Sequence, residues 1–160
     1  MQSVYLETTV VGNIAGRVHP DLAMAARQSV TRRWWDTAQD RYDLFVSALV
    51  IDECNGGDPT AASERLAVIG NLPILDGGDD AKLLTDLLLD GNAVPQSEPR
   101  DATHIAIAAV NGIELLATWN FKHILNPATQ HLIDSICRNA GYEPATICTP
   151  EQLLEAYNDS

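Results

Sequence analysis

Three features of the sequence predict an α/β fold, a three-layer α/β/α sandwich around a central, mainly parallel sheet. Short apolar runs rich in β-branched and aromatic residues alternate with longer stretches of helical spacing. Proline, glycine and capping residues punctuate them at short intervals. The chain is 160 residues long and 46% hydrophobic, a size and composition that suit one core. No internal repeat, low-complexity tract or linker interrupts it, so residues 1–160 are expected to form a single domain.

The elements follow in order. Val4-Tyr5-Leu6 reads as a buried first strand, bounded by Glu7-Thr8-Thr9. Pro20 and Asp21 open a long helix to about Tyr42, with Leu22, Ala26, Val30 and Trp34 at helical spacing. Leu44-Phe45-Val46 is a second strand, followed by a short helix from Ala48 to Cys54 that Asn55-Gly56-Gly57 ends. Asp58-Pro59 starts the next helix, to about Asn71, with proline in the first turn, where its missing N–H is harmless. Leu72-Pro73-Ile74-Leu75 suits an edge strand or extended link, and Asp79 to Asp90 an amphipathic helix closed by Gly91-Asn92. Ser97 is the expected N-cap of a helix from Glu98 to Asn111. That helix is apolar nearly all round from Ala102 to Val110, which predicts burial, and Gly112 stops it. Leu115 to Thr118 is a strand, Ala128 to Ala140 a helix and Thr146-Ile147-Cys148 the last strand, before a terminal helix from Pro150.

Charge narrows the function. Twenty-two acidic residues against 10 basic ones leave a net charge of −12, which excludes a naked electrostatic binder of nucleic acid or anionic membrane. The acidity is uneven: residues 1–50 carry five basic and five acidic groups, whereas the excess lies beyond residue 50. The basic cluster around Arg27, Arg32 and Arg33, beside Trp34 and Trp35, suits either RNA or partner contact, or a solvated helix face over core tryptophans. No apolar run approaches the roughly 20 residues of a membrane span. The N-terminus lacks a basic region and meets Glu7 early, unlike a secretory signal. Cys54, Cys137 and Cys148 form no CxxC pair, so buried thiols in a cytoplasmic protein are expected.

Several chemistries lack their motifs. There is no GxxxxGK[ST] loop, no GxGxxG after the first strand and no GxSxG elbow. His104, His123 and His131 lack zinc-like spacing. A receiver-like or dehalogenase-like phosphatase would want paired acids after the first strand, where this chain has Glu7-Thr8-Thr9.

What remains is a set of oxygen ligands. In open parallel sheets, function sits at the carboxyl ends of the strands. Glu7 follows the first strand, Glu53 lies on the helix beyond the second, Asp101 is in the first turn of the apolar helix, and Asn120 follows the strand ending at Thr118. Each has a plainer explanation as a strand end, solvated position, dipole partner or turn residue. Together they suit Mg²⁺ or Mn²⁺, because convergent carboxylates repel unless a cation holds them.

Four ordered motifs carry a resemblance. They are Tyr5-Leu6-Glu7-Thr8-Thr9-Val10-Val11, Ser47-Ala48-Leu49-Val50-Ile51-Asp52-Glu53, Arg100-Asp101-Ala102-Thr103-His104-Ile105-Ala106, and Leu115 to Ile124 with its Thr118-Trp119-Asn120. Their order and spacing resemble the PIN domain, specifically the VapC-type toxins of toxin–antitoxin pairs. The resemblance implies a metal-dependent endoribonuclease (a hydrolase of RNA phosphodiester bonds) in which Glu7, Glu53, Asp101 and Asn120 hold Mg²⁺ or Mn²⁺. Thr9 and Thr118 would support them by hydrogen bonds. It further implies a cognate antitoxin that covers the acidic site, a homodimer, and no membrane partner. One position departs from the family: Glu7 stands where Asp is usual, and the extra methylene displaces a carboxylate by about 1 Å, against the roughly 0.5 Å placement such sites need. Either the backbone compensates or activity is weakened. The alternative is a PIN-like protein-interaction module with reduced or lost catalysis.

Overall fold

The computed structural model describes residues 1–158. Strands β1 (Ser3–Leu6), β2 (Asp43–Ser47), β3 (Ile74–Leu75), β4 (Leu115–Ala117) and β5 (Thr146–Cys148) form one sheet. Their order is β3-β2-β1-β4-β5, and every pairing is parallel. Helices α1 (Thr8–Ile14), α2 (Leu22–Arg41), α3 (Ala48–Cys54), α4 (Pro59–Ile69), α5 (Gly78–Asp90), α6 (Pro99–Val110), α7 (Gln130–Asn139) and α8 (Pro150–Asn158) surround it. Helices α1 to α4 and α8 pack with one another, as do α5, α6 and α7. The result is the three-layer α/β/α sandwich that the alternating pattern predicts.

The central strands show why. A parallel strand covered on both faces has no polar side, so it reads as an unbroken apolar run. Val4, Tyr5 and Leu6 of β1 are fully buried, as are Leu116 and Ala117 of β4. β3, at the edge, has only two residues and follows Pro73, with Ile74 59% exposed. Strand order reverses beside β1: β2 and β3 lie on one side, β4 and β5 on the other. The carboxyl end of β1 and β4 is therefore the topological switch point, where such sheets open a crevice.

Some local expectations change. The sequence pattern assigns no element between Thr9 and Pro20, yet α1 forms there. Thr8, Thr9, Val10, Val11 and Gly12 are poor helix formers, but Val10 and Val11 are fully buried and Glu7 caps the turn by accepting the Thr9 N–H. Tertiary packing overrides propensity. Ser97 is not the N-cap of α6; Glu98 holds that position and makes no side-chain cap bond. Pro99 at the first position has no N–H to satisfy, which lessens the need for a cap. At the other end Gly112, with φ +68°, lets the chain leave the helix in the left-handed region.

α6 is the buried helix, with Ala102 and His104 to Ala109 all buried. Cys54, Cys137 and Cys148 are free and buried, and burial raises their thiols to about 11, 11 and 12. They stay protonated and unreactive at neutral pH. Among the described residues no helix is long and apolar enough to cross a membrane.

α6 is held against α5 at a tight corner. A Cβ on Gly77 would collide with Ala81 and stand 3.2 Å from Cγ2 of Val110, the last residue of α6. Gly77→Ala is expected to destabilise the fold by about 1–3 kcal/mol through overpacking. A thermal melt should show this as a Tm roughly 3–10 °C lower; an unchanged Tm would mean that the corner relaxes freely.

Candidate functional site

The site is built at the switch point. β1 ends at Leu6, and the next residue, Glu7, turns the chain into α1. β2 ends at Ser47, which caps α3 by accepting the Val50 N–H, and Glu53 lies in the last turn of that helix. Because β1 and β2 pair in parallel register, the two carboxylates emerge at the same edge. A carboxylate oxygen of Glu7, one of Glu53 and a ring nitrogen of His104 lie within 4.8 Å of one another.

Glu7 is only 3% exposed. Its Oε1 accepts from the Thr118 hydroxyl at 2.7 Å, from the Thr9 backbone N–H at 3.2 Å and from the Thr9 hydroxyl. Those hydroxyls are themselves aimed: Thr9 Oγ1 accepts the Trp119 N–H and Thr118 Oγ1 accepts the Asn120 N–H, each at 2.9 Å. Each hydroxyl proton is thereby directed at Glu7. All three bonds fall on Oε1, which leaves Oε2 for a further partner.

Glu53 is held differently. Its Oε1 accepts from the Thr8 hydroxyl and from His104 Nε2, both at 2.6 Å. Its Oε2 lies 3.8 Å from the Arg100 guanidinium, which also meets Asp52 at 3.0 Å. Burial pushes the Glu53 carboxyl up, but the His104 and Thr8 hydrogen bonds and the nearby Arg100 guanidinium outweigh it. The net shift is downward, so Glu53 is held ionised.

Behind Glu53 runs a buried chain of hydrogen bonds. His104 Nδ1 is 2.6 Å from the Tyr5 hydroxyl, which is 2.8 Å from Ser47 Oγ. Nε2 must donate to the carboxylate, so in the neutral ring Nδ1 accepts from Tyr5 and Tyr5 accepts from Ser47. This assignment satisfies every group, since Ser47 in turn accepts from Val50. Burial raises the Tyr5 hydroxyl far above its ordinary range, with hydrogen bonding from Ser47 opposing and the Glu7 and Glu53 charges adding to the rise. Tyr5 therefore stays a donor.

Asp101 and Asn120 form an adjoining group. The Asn120 side chain faces the Asp101 carboxyl and favours its ionised form, while its Oδ1 accepts the His123 N–H at 2.9 Å. Ligand atoms of Glu98, Asp101 and His123 lie within 4.8 Å of one another. Burial raises the Asp101 carboxyl, and although the Asn120 side chain opposes this and Glu98 adds to it, the net shift is upward.

The four residues singled out in the sequence thus fall into two groups rather than one. Glu7 and Glu53 bring carboxylate oxygens within 4.8 Å of each other, and Asp101 stands with Asn120. Thr118 bridges the groups, bonding Glu7 with its hydroxyl and Asn120 through the N–H it accepts. Sequence reasoning missed His104, Tyr5, Ser47, Thr8 and Arg100. A signal existed for His104: it lies three residues after Asp101 on a helix expected to be buried, hence on the same face, and a buried imidazole needs partners.

The donor set is one of hard oxygens. His104 has both ring nitrogens engaged and orients Glu53 rather than offering a lone pair. Glu7 and Glu53 offer the kind of donor that Mg²⁺ or Mn²⁺ takes, one or two carboxylates with several waters kept, while Asp101 belongs to the adjoining group. A cation at Glu53 Oε2 would displace Arg100, which retains Asp52.

Compared with known proteins, the chain matches no family model, no curated protein and no solved structure. The likeness to the PIN domain rests on the four motifs themselves.

Two outcomes follow from this geometry. Tyr5→Phe removes the donor to a buried imidazole nitrogen and should destabilise the fold by about 1–3 kcal/mol, read as a lower urea midpoint. Glu53 has a lowered pKa in the fold, so its contribution is present above the unfolded value of 4.5 and lost as pH falls through the lower folded value. In urea unfolding across that acid range, Glu53→Gln should make the stability loss shallower; an unaltered slope would show that the pairing contributes nothing.

Proposed function

We propose that the chain is a metal-dependent endoribonuclease that hydrolyses RNA phosphodiester bonds with Mg²⁺ or Mn²⁺. The observation that carries this reading is the meeting of Glu7 and Glu53 at the switch point of a parallel sheet. Like charges this close are relieved by a shared proton or by a cation. Glu53 is held ionised by His104, Thr8 and Arg100, which favours the cation.

Glu7, Glu53 and Asp101 would hold the ion, with Asn120 as the neutral fourth residue. When bound, such an ion lowers the pKa of water and stabilises charge on a phosphoryl oxygen. The chain's own residues supply position. Thr9 and Thr118 fix Glu7 from two directions, so the longer side chain is clamped rather than free. His104, steadied by Tyr5 and Ser47, sets the plane of Glu53. Asn120 holds Asp101 at the start of α6.

Within this reading the protein is the toxin of a type II toxin–antitoxin pair, cytoplasmic and homodimeric. Its antitoxin would cover the acidic pocket with a basic side chain. Arg100 beside Glu53 supports this, being an internal guanidinium at the same carboxylate.

One observation favours a second reading, a PIN-like interaction module with weakened catalysis. Both oxygens of Glu53 already have partners, and Glu7 is one methylene longer than the family's Asp.

Purified protein should cleave total RNA when Mg²⁺ or Mn²⁺ is supplied, and Asp101→Asn should slow this by at least about 100-fold, the scale of losing one group that stabilises a transition state. A variant that cuts at the parent rate rejects the site. A parent that shows neither cleavage nor Mn²⁺-dependent thermal stabilisation selects the interaction module.

A further inference from the structure

A groove of about 310 Å³ opens next to the carboxylates, between α1, the start of α2 and the loop after β4. Thr9 is common to both places: it lines the groove, and its hydroxyl bonds Glu7. Trp119, on the groove's inner side, immediately precedes Asn120 and donates its backbone N–H to the same Thr9 hydroxyl.

Its chemistry differs from that of the acidic site. Trp119 is 6% exposed and anchored, its Nε1–H donating to Thr31 Oγ1 at 2.9 Å. Phe121 stands edge-on to it with ring centroids 6.1 Å apart and is 46% exposed. The Arg27 guanidinium carbon lies 5.3 Å from both ring centroids. Among the described residues the Arg27 guanidinium meets no carboxylate, its one hydrogen-bond partner being the Met24 sulfur. Arg32, by contrast, bonds the Ile14 and Gly16 carbonyls, and Arg100 and Arg138 pair with acids. In a chain with 22 acidic and 10 basic residues, a half-buried arginine without an acid is informative.

The rim adds a second donor. His19 Nδ1 accepts the Asp21 N–H, which places the ring proton on Nε2. Gln28 is occupied in holding that loop, accepting the His19 N–H and donating to the Arg17 carbonyl. No acidic side chain lines the groove. A volume near the lower end of the roughly 300–1,000 Å³ typical of ligand sites suits one base or nucleoside.

We propose that this groove is a subsite for one unpaired RNA nucleotide flanking the phosphate at Glu7, its base stacked on the exposed Phe121 ring beside the groove, which Trp119 backs, with Arg27 and His19 donating to its oxygens. This rests on the ribonuclease reading and names how that site grips its strand. Aromatic faces with a cation serve single strands because every base has a π-face. The grip is local, which reconciles strand binding with a chain of net charge −12.

The test uses the full chain carrying Asp101→Asn, to prevent cleavage, with a fluorescein-labelled single-stranded RNA followed by anisotropy in Mg²⁺. Adding Phe121→Ala, a surface change, or Arg27→Gln should each weaken binding about 10-fold, within what stacking of one base contributes. An RNA with one abasic nucleotide at the responsive position should lose the same factor, with no further loss when combined with Phe121→Ala. Equal binding by both variants, or no RNA binding at all, overturns the subsite. Failure of the parent to cleave with Mn²⁺ while Phe121-dependent binding persists removes the nuclease reading and leaves the subsite. Metal-dependent cleavage with unweakened binding in both variants does the reverse.

Discussion

A carboxylate that is 3% exposed, as Glu7 is, is stable only where donors meet it, and much of this end of the molecule is arranged to do so. Thr9 approaches from the first turn of α1 and Thr118 from the end of β4, so one oxygen joins two segments far apart in the chain. The hydroxyls accept the backbone N–H groups of Trp119 and Asn120, which fixes the loop after β4. That loop carries Asn120 to Asp101 and Trp119 to the neighbouring groove. Glu7 also caps α1, a helix of weak intrinsic propensity.

A second buried chain runs from Ser47 through Tyr5 and His104 to Glu53 and Thr8, joining β2, β1, α6, α3 and α1. Such a network is favourable only when complete, because each unpaired member would carry its full desolvation penalty. It sets two carboxyls apart electrostatically. Glu53 is drawn down by its donors and Arg100, whereas Asp101 is pushed up by burial with Glu98 nearby. Environments that separate the pKa values of neighbouring acids are common where proton and charge have assigned places.

The fold was largely legible because its signals are local. The apolar runs of β1 and β4, the Asp21 cap of α2, the Pro59 start of α4 and Gly112 after α6 each act through their nearest neighbours. α1 was not legible, since Val10 and Val11 are helical only because the core buries them. The absence of a Ser97 cap was not legible either, because Pro99 lessens the need for one. Of the basic cluster in α2, Trp34 goes to the core and Arg32 to carbonyls at the end of α1. Arg27 alone of that group stacks on Trp119 and Phe121, partners some ninety residues away.

The sequence by itself determined the layered parallel architecture and the positions of Glu7, Glu53, Asp101 and Asn120 at strand and helix ends, because periodicity, caps and breakers are written into adjacent residues. Only the tertiary structure decided how those residues group: Glu7 with Glu53, Asp101 with Asn120, and Thr118 between them. It also decided that His104 serves Glu53, and that a cation on aromatic faces adjoins an acidic pocket. Those outcomes depend on the order of strands in the sheet and on hydrogen bonds spanning up to 111 residues, which no local pattern encodes.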